Sequence, residues 1–409
     1  MSLKQKQIMT AIDVFVAVIL MWFVTQVTKA YIGIAYHEVP ETSVAKLITL
    51  PNLFGLITSF IIGPLAAKTN KVKLTMFAHV SVIIYSLIFF FTGKFHGPFV
   101  LLSIACVFAG FAQGAYVPLL NSIISDHFPA EDRDKRIANY NVWVSVGTLI
   151  ILQVAGFLAA GNDGANWYNA YLLCILTVIG LIIFTVLMKK NDANTPSIVA
   201  VDPDAPKPSF KDIPKDAWVW LIIMGLIHCV FYLAQYAFNT QVSSYIITEY
   251  KLGTSVQAGT ATSCYRIGLI VFTSLYPVFK KFLKDWMIPV GYITMGVGLF
   301  IMMTTKSLFG AYACGIIAGA ATSLAHSTLL GKASRYVPLA MVPVAMSVIW
   351  GIANIGTSTA VTLLGAIASL FGGDMRGRFI AGMICSVVAA VAAVFMYVVK
   401  KPGKNVDLG

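Results

Sequence analysis

Windows of about twenty apolar residues recur along the chain and are separated by short polar breaks, and a helix of that length crosses the ~30 Å hydrocarbon core of a bilayer. Because lipid offers no hydrogen bonds, each span has to satisfy its own backbone groups. The pattern predicts an all-α polytopic membrane protein with twelve transmembrane helices. These predicted spans lie near residues 9–35, 44–67, 74–93, 98–125, 137–160, 168–188, 217–246, 256–279, 286–305, 308–332, 341–371 and 378–399.

The composition agrees with a membrane protein and excludes an ordinary soluble domain. Hydrophobic residues make up 58% of the 409 positions, charged residues make up 11%, and the mean hydropathy is +0.80. Soluble domains carry about 25% charged residues. The apolar run at the N-terminus continues to span length without a clear small-residue cleavage site, which indicates an uncleaved first helix.

The net charge of +12 is concentrated in alternate loops. Because basic residues stay on the cytoplasmic side of a membrane, we expect both termini in the cytoplasm and a multi-pass protein of the cytoplasmic (inner) membrane. The partners expected from this distribution are the lipid bilayer and no nucleic acid. The basic residues before the first span or after even-numbered spans include Lys4, Lys6, Lys68, Lys71, Lys73, Arg133, Lys135, Arg136, Lys189, Lys190, Lys280, Lys281, Lys284, Lys332, Arg335, Lys400, Lys401 and Lys404.

Motifs of enzymes and metal proteins are not found in the sequence. The six cysteines are widely separated within predicted spans, without a C-x-x-C spacing, so neither a disulfide nor a zinc site is indicated. We find no phosphate-binding loop and no nucleophile elbow. We therefore expect a protein that is not an enzyme and that uses no cofactor and no metal.

A proline-rich and charged segment, "KKNDANTPSIVAVDPDAPKPSFKDIPKDA", interrupts the chain after the sixth predicted span. It predicts a cytoplasmic linker at 191–216 between two six-helix bundles, 1–190 and 217–409. The two halves also match each other at a constant shift of 209 residues. Duplicated six-helix halves are typical of transporters that bind substrate near the membrane midplane. The matches are Ala109-Gly110 with Ala318-Gly319, Pro129 with Pro338, Gly147-Thr148 with Gly356-Thr357, and Gly156 with Gly365.

With twelve spans, a duplication and a linker, the chain resembles the major facilitator superfamily over essentially its whole length. The loop after the second span, "GPLAAKTNKVK", supports this resemblance. Matches to the family pattern are Gly63, Lys68, Lys71 and Lys73, while Ala67 replaces the family's aspartate and Asn70 its second glycine. The resemblance implies a transporter that works by alternating access, with Gly63 and Lys68 as candidate gating residues.

The drug–proton exporters of this superfamily carry a Gly-Pro signature late in the fifth span. The segment "GTLIILQVAGFLAAG" keeps Gly147 and Gly156 at the family's spacing but has Ala160-Gly161 in place of Gly-Pro. This departure counts against the exporter branch, so a multidrug exporter of amphipathic compounds is only the alternative function. Gly110 and Gly114 form a G-x-x-x-G pair that predicts close packing of two helices.

An arginine interrupts the eighth predicted span. Arg266 lies within "ATSCYRIGLIV" about ten residues from either end of the span, which at ~1.5 Å per residue is near the middle of the bilayer. A charged residue there costs about 2.5–3.5 kcal/mol, and no carboxylate occupies a mid-membrane position in the predicted spans. Either the guanidinium binds an anion that the protein carries, or it is structural and satisfies backbone carbonyls.

Polar side chains follow one face of the seventh and of the eleventh predicted helix. Such stripes indicate a water-filled cavity, since a lipid-facing helix does not gather polar groups on one face. The seventh helix carries His228, Tyr232, Gln235 and Asn239, the eleventh carries Ser347, Trp350, Asn354 and Thr357, and His326 lies in the tenth. The two histidines either pack across helices, or act in coupling (His228) and in substrate binding (His326).

Two charged residues of the first predicted span also have alternative interpretations. Lys29 lies in its outer half on a stripe with Trp22, Thr25 and Gly33. It either binds substrate or extends its ammonium group to the outer interface. Asp13 lies about one helical turn into the span and is either a solvated interfacial charge or a proton-coupling group.

Arg266 with its aromatic and amide neighbours is similar to the oxalate–formate antiporter branch, which has an arginine on the eighth span. That branch also has a lysine on the eleventh, where this chain has Asn354. Either Lys29 replaces it, or the substrate is a monoanion that needs one cation. The resemblance implies a monomeric secondary transporter of a small carboxylate-type organic anion, acting by exchange or proton symport. A non-transporting nutrient sensor is a third possibility, but the termini and the linker leave little room for a signalling extension.

Overall fold

The first part of the chain folds into helices joined by short connections. The computed structural model describes residues 21–68, 70–127, 130–188, 213–333 and 342–400. A 3-10 turn (Met21–Phe23) leads into the first helix, and two more (Gly161–Gly164 and Trp167–Leu173) precede the sixth. The helices are α1 (Val24–Ala35), α2 (Glu41–Lys68), α3 (Lys71–Lys94), α4 (Phe99–His127), α5 (Ala130–Ala160) and α6 (Cys174–Met188).

The second part of the chain is helical as well. A π-helical turn (Tyr245–Glu249) extends its first helix, a 3-10 turn (Lys284–Trp286) joins its third and fourth, and a second π-helical turn (Val394–Lys400) follows its last. The helices are α7 (Lys215–Ser244), α8 (Ser255–Ser274), α9 (Tyr276–Leu283), α10 (Met287–Thr305), α11 (Leu308–Ala333), α12 (Val342–Ser369) and α13 (Met375–Ala393).

Helices long and apolar enough to cross a membrane dominate the described residues, which contain no β-strand. Ten such spans are found there, and the all-α polytopic fold class is confirmed. The first predicted span begins outside the described residues, so only its second half is seen as α1. The eighth, α8, is helical, but Arg266, Gln257 and several serine and threonine residues make it less apolar than these ten spans.

The end of α8 corrects the predicted span 256–279. The helix ends at Ser274, and the short helix α9 begins at Tyr276 with Pro277 in its first turn. Proline has no N–H to donate to the preceding turn, whereas the first turn of a new helix does not need that donor. The predicted continuous span is therefore two helices.

The structure divides into two compact units. One consists of Met1–Pro203 with Ile246–Ser263, and the other of Asp204–Tyr245 with Cys264–Gly409. Within the first, the Ser255 hydroxyl donates to the carbonyl of Gly156 at 2.6 Å, which ties the start of α8 to α5. The predicted linker and bundle boundaries stay a prediction, because most of 191–216 lies outside the described residues.

Glycines allow helices to approach at backbone distance in both units. In the first unit, a Cβ at Gly110 would lie 2.7 Å from the carbonyl oxygen of Pro51, so the predicted close packing of this G-x-x-x-G helix is confirmed for α4 against α2. In the second unit, a Cβ at Gly319 of α11 would lie 2.5 Å from the backbone nitrogen of Leu269 in α8. This contact holds the arginine-bearing part of α8 against α11.

Candidate functional site

The predicted polar stripe of α7 lies inside the second unit. His228, Tyr232, Gln235 and Asn239 are all buried, with exposed fractions of 0%, 7%, 3% and 7%. Their spacing places them on one helical face. Within the unit this face meets side chains of α8, α10, α11 and α12.

The two histidines of this unit are hydrogen-bonded to each other. Nε2 of His228 lies 3.2 Å from Nδ1 of His326 on α11, and Nδ1 of His228 lies 2.9 Å from the hydroxyl of Tyr292 on α10. The imidazole rings stack with centroids 5.4 Å apart and an interplanar angle of 24°. His228 is fully buried, whereas His326 is partly exposed. A continuous chain of three polar groups therefore runs from the interior of the unit to a more accessible position.

Aromatic side chains surround the histidine pair. The ring of Tyr232 lies edge-on to His228 at 4.7 Å, and Trp350 of α12 lies 4.6 Å from His326. Tyr232 and Trp350 are themselves 6.1 Å apart. Trp350 is 38% exposed. The fold thus brings four residues predicted from three different helices into one cluster.

Arg266 is connected to the same stripe through its neighbour in the chain. The amide nitrogen of Gln235 donates to the hydroxyl of Tyr265 at 2.6 Å. The guanidinium of Arg266 lies 5.3 Å from the centroid of the Tyr265 ring, within the range of a cation–π contact. Arg266 is partly exposed. Sequence reasoning missed Tyr265, although a tyrosine beside a mid-span arginine was the available signal.

The two candidate asparagines are placed differently. Asn239 is buried one turn beyond Gln235 on α7. Asn354 is partly buried on α12, where its backbone carbonyl accepts hydrogen bonds from the hydroxyls of Thr357 and Ser358. Neither is part of the histidine–aromatic cluster.

Lys29 lies in the first unit and forms an ion pair with Glu41. Its side chain is 1% exposed, whereas that of Glu41, the first residue of α2, is 43% exposed. The ammonium group of Lys29 is therefore enclosed and binds a partly exposed carboxylate at the start of α2. Sequence reasoning missed the pair because Glu41 precedes the predicted second span and was not counted among intramembrane acids.

A hydroxyl network lies beside Lys29 on α1. The hydroxyl of Thr25 is hydrogen-bonded to those of Tyr85 at 2.7 Å and Tyr171 at 2.9 Å, and Thr28 is bonded to Tyr171 at 3.1 Å. All four residues are buried. Thr25, which belongs to the stripe predicted for the first helix, thus contacts α3 and the turn before α6.

Three further candidate residues lie in or directly after the first two predicted spans. Asp13 lies outside the described residues. Gly63 and Lys68 lie in α2, where the backbone of both is described and the side chain of Lys68 is not. In the part of the chain that is described, no group of three His, Cys, Asp or Glu side chains is placed to hold a metal ion.

The family comparison and the solved structures agree on one fold. The model of the family described as Major Facilitator Superfamily matches residues 8–286. No curated protein matches the chain significantly. A peptide transporter, POT, in complex with sulfate is similar in structure with a TM-score of 0.77 and 10% identity, over 99% of this chain and 96% of that one.

Two further solved structures have similar folds. A POT family transporter in complex with 5-aminolevulinic acid has a TM-score of 0.73 and 14% identity, over 97% of this chain and 95% of that one. A bacterial homolog of the human lysosomal transporter Spinster, in an inward-facing and unoccupied conformation, has a TM-score of 0.68 and 16% identity, also over 97% and 95%.

Proposed function

Because the chain belongs to the major facilitator superfamily, we propose that it is a secondary active transporter that carries a small organic anion of the carboxylate type. Transport occurs by alternating access across the cytoplasmic membrane, with both termini in the cytoplasm, as the distribution of basic residues indicates. The protein acts as a monomer in the lipid bilayer and needs no nucleic acid.

The position of Arg266 is the observation that carries this proposal. It places a permanent cation halfway along a helix of the membrane domain, partly exposed and beside the ring of Tyr265. A guanidinium offers a planar fork of donors that matches a carboxylate, and the low dielectric of a membrane interior strengthens such a contact. An anionic substrate is the ligand that this position favours.

Neighbouring groups define the kind of anion. The hydroxyl of Tyr265 is bonded to Gln235, so a polar pair lies next to the guanidinium. On the same unit, Tyr232 and Trp350 form an aromatic surface that suits the apolar body of a carboxylate. We therefore infer a substrate with one negative group and an apolar remainder.

The similarity to the oxalate–formate antiporter branch leaves a choice between one and two cations for the substrate. Lys29 is engaged by Glu41 in the first unit, and Asn354 stands where that branch has its lysine. This favours a monoanion bound by one cation. Sulfate and 5-aminolevulinic acid, named with two transporters of the same fold, each carry an anionic group, so the fold is compatible with such ligands.

A thermal-shift screen of the purified protein against carboxylates and phosphates tests the proposal. Monocarboxylates with an apolar body should raise the melting temperature most. In Arg266→Gln the affinity for the best of them should fall by roughly ten- to a hundredfold, since hydrogen bonds to charged groups contribute ~1.5–3 kcal/mol. Arg266→Lys, which keeps the charge without the fork, should be intermediate.

The matched control is Arg376→Gln, because Arg376 is exposed in the first turn of α13. It should bind like the wild type. A structural arginine predicts the opposite pattern for Arg266→Gln, with a lower melting temperature and an unchanged affinity. That pattern would refute the anion proposal.

A further inference from the structure

Only two histidines follow His127 in the sequence, and they are hydrogen-bonded to each other. His228 and His326 are separated by 98 residues and lie on α7 and α11. Imidazole is the side chain whose ordinary chemistry allows it to gain and lose a proton near neutral pH. The second unit therefore concentrates all of its imidazole groups at one point.

Carboxylates are placed elsewhere in this part of the chain. After Asp216, which lies in the first turn of α7, the acidic residues are Glu249, Asp285, Asp374 and Asp407. Glu249 ends the π-helical turn after α7, Asp285 lies in the 3-10 turn before α10, and Asp374 caps α13. Asp407 lies outside the described residues. No acidic residue is thus available along the interior of the spans after Asp216 to carry a proton.

The side chains that contact the histidine pair are neutral. Tyr232 contributes from α7, Tyr292 from α10 and Trp350 from α12, in addition to the ring of Phe231. The titratable groups among these contacts are the two tyrosine hydroxyls, and none of the side chains in these contacts is charged. A proton bound by the histidine pair would therefore place a positive charge among neutral side chains.

We propose that the His228–His326 pair is the proton-binding site of the carrier and takes up one proton with each anion. The inference rests on the proposed function and decides between exchange alone and proton symport. The proton binds Nε2 of His326, the partly exposed ring, and His326 then donates from Nδ1–H to Nε2 of His228. His228 stays neutral and donates from Nδ1–H to the hydroxyl of Tyr292.

The geometry limits the pair to a single added proton. A second one would place two cations on rings 3.2 Å apart and remove the acceptor of their hydrogen bond, and like charges at this distance disfavour each other strongly. One proton also balances the charge of one anion. The bound carboxylate neutralises the positive charge of Arg266, and the added proton restores one positive charge. The empty and the loaded carrier then hold the same net charge in the membrane.

Binding of the two ligands is expected to be mutually favourable. A negative charge bound at Arg266 lowers the cost of a positive charge on the pair, and by linkage the proton strengthens anion binding equally. The path between the two sites runs along α7, from His228 through Tyr232 to Gln235, which is bonded to Tyr265.

The test uses the full-length protein in liposomes with radiolabelled lactate, pyruvate and benzoate, after subtraction of protein-free liposomes. Two rates are measured: exchange of labelled for unlabelled anion without a gradient, and uptake driven by an imposed pH gradient together with the accompanying proton flux. His228→Gln and His326→Asn each keep an amide in place of the imidazole, so hydrogen bonding is retained and titration is not.

We expect both variants to keep anion exchange at saturating anion, with a weaker apparent affinity because the cooperating proton is missing, and to lose pH-driven uptake and proton flux by about tenfold or more. The matched control is His79→Gln. His79 is buried in the first unit with Nδ1 2.8 Å from the carbonyl of Thr75, and its variant should keep both activities. If one histidine variant fails to fold, the other carries the test, because either one breaks the pair.

The outcomes separate the inference from the proposed function. Exchange by the wild type without proton-driven uptake, or full coupling in a folded variant of either histidine, would overturn the proton site and leave the anion carrier in place. Absence of exchange for every carboxylate in the wild type would instead refute the proposed function and the inference with it.

Discussion

Lys29 on α1 forms an ion pair with Glu41, the residue with which α2 begins. The lysine side chain is almost completely enclosed, and its partner reaches the surface. Removing one member of such a pair leaves a charge without compensation, and that cost is larger than the net contribution of the pair itself. The pair therefore joins two consecutive helices and should matter for stability.

Replacing Glu41 should destabilise the first unit. We expect Glu41→Gln to lower the free energy of unfolding by about 1–3 kcal/mol, because it leaves the buried ammonium group of Lys29 poorly satisfied. The loss should be smaller than for a fully enclosed ion pair, since Glu41 is partly solvated. The melting temperature of the purified protein measures this. Glu38→Gln, which changes an exposed carboxylate near the same turn, should melt like the wild type.

The double variant Lys29→Met with Glu41→Gln should recover most of the lost stability, because it removes both charges. If Lys29→Met instead melts like the wild type and loses anion affinity, Lys29 binds substrate and the structural interpretation of the pair is wrong.

The hydroxyl of Tyr171 should contribute measurably to stability. It is hydrogen-bonded to Thr25 at 2.9 Å and to Thr28 at 3.1 Å inside the first unit. Tyr171→Phe leaves these buried hydroxyls with fewer partners, so we expect a loss of about 1–3 kcal/mol in the free energy of unfolding. Chemical or thermal unfolding in detergent measures the loss.

Tyr168→Phe is the control for that prediction, since the hydroxyl of Tyr168 is partly exposed and bonds to Asn166 two residues away. It should change stability by a few tenths of a kcal/mol, as surface substitutions do. Equal effects of the two substitutions would show that the network on α1 has no special role.

Gly319 should be intolerant of any side chain. A Cβ there would lie 2.5 Å from the backbone nitrogen of Leu269, and overpacking of this kind costs typically ~1–3 kcal/mol. Because the contact holds α8 against α11, Gly319→Ala should also weaken anion binding through Arg266. Melting temperature and ligand affinity of the same preparation test both effects.

Gly365→Ala gives the opposite expectation. Gly365 lies within α12, and a Cβ added there would have no atom within 4 Å, so alanine should be neutral or stabilising by up to about 1 kcal/mol through helix propensity. A stable Gly319→Ala protein with wild-type affinity would show that α8 and α11 can separate without consequence for the site.

The class of the protein is determined by local properties of the sequence. A span is recognised from the length of an apolar run, because the bilayer has one thickness and demands internal hydrogen bonding. The polar stripe of α7 was equally predictable, since residues four and three apart share a helical face. For the same reason His228 and Gln235 are identified as candidates by their spacing in the sequence alone.

What the sequence did not determine is which of these groups meet. His228 and His326 are 98 residues apart, and periodicity places each on its helix without saying how α7, α10 and α11 are rotated about their axes. Lys29 and Glu41 lie closer in the chain, yet their pairing depends on how α1 turns into α2. Such contacts are decided by tertiary packing. The hydrophobic effect that drives packing is non-directional and does not select partners, whereas small residues such as Gly319 determine where two helix backbones can touch.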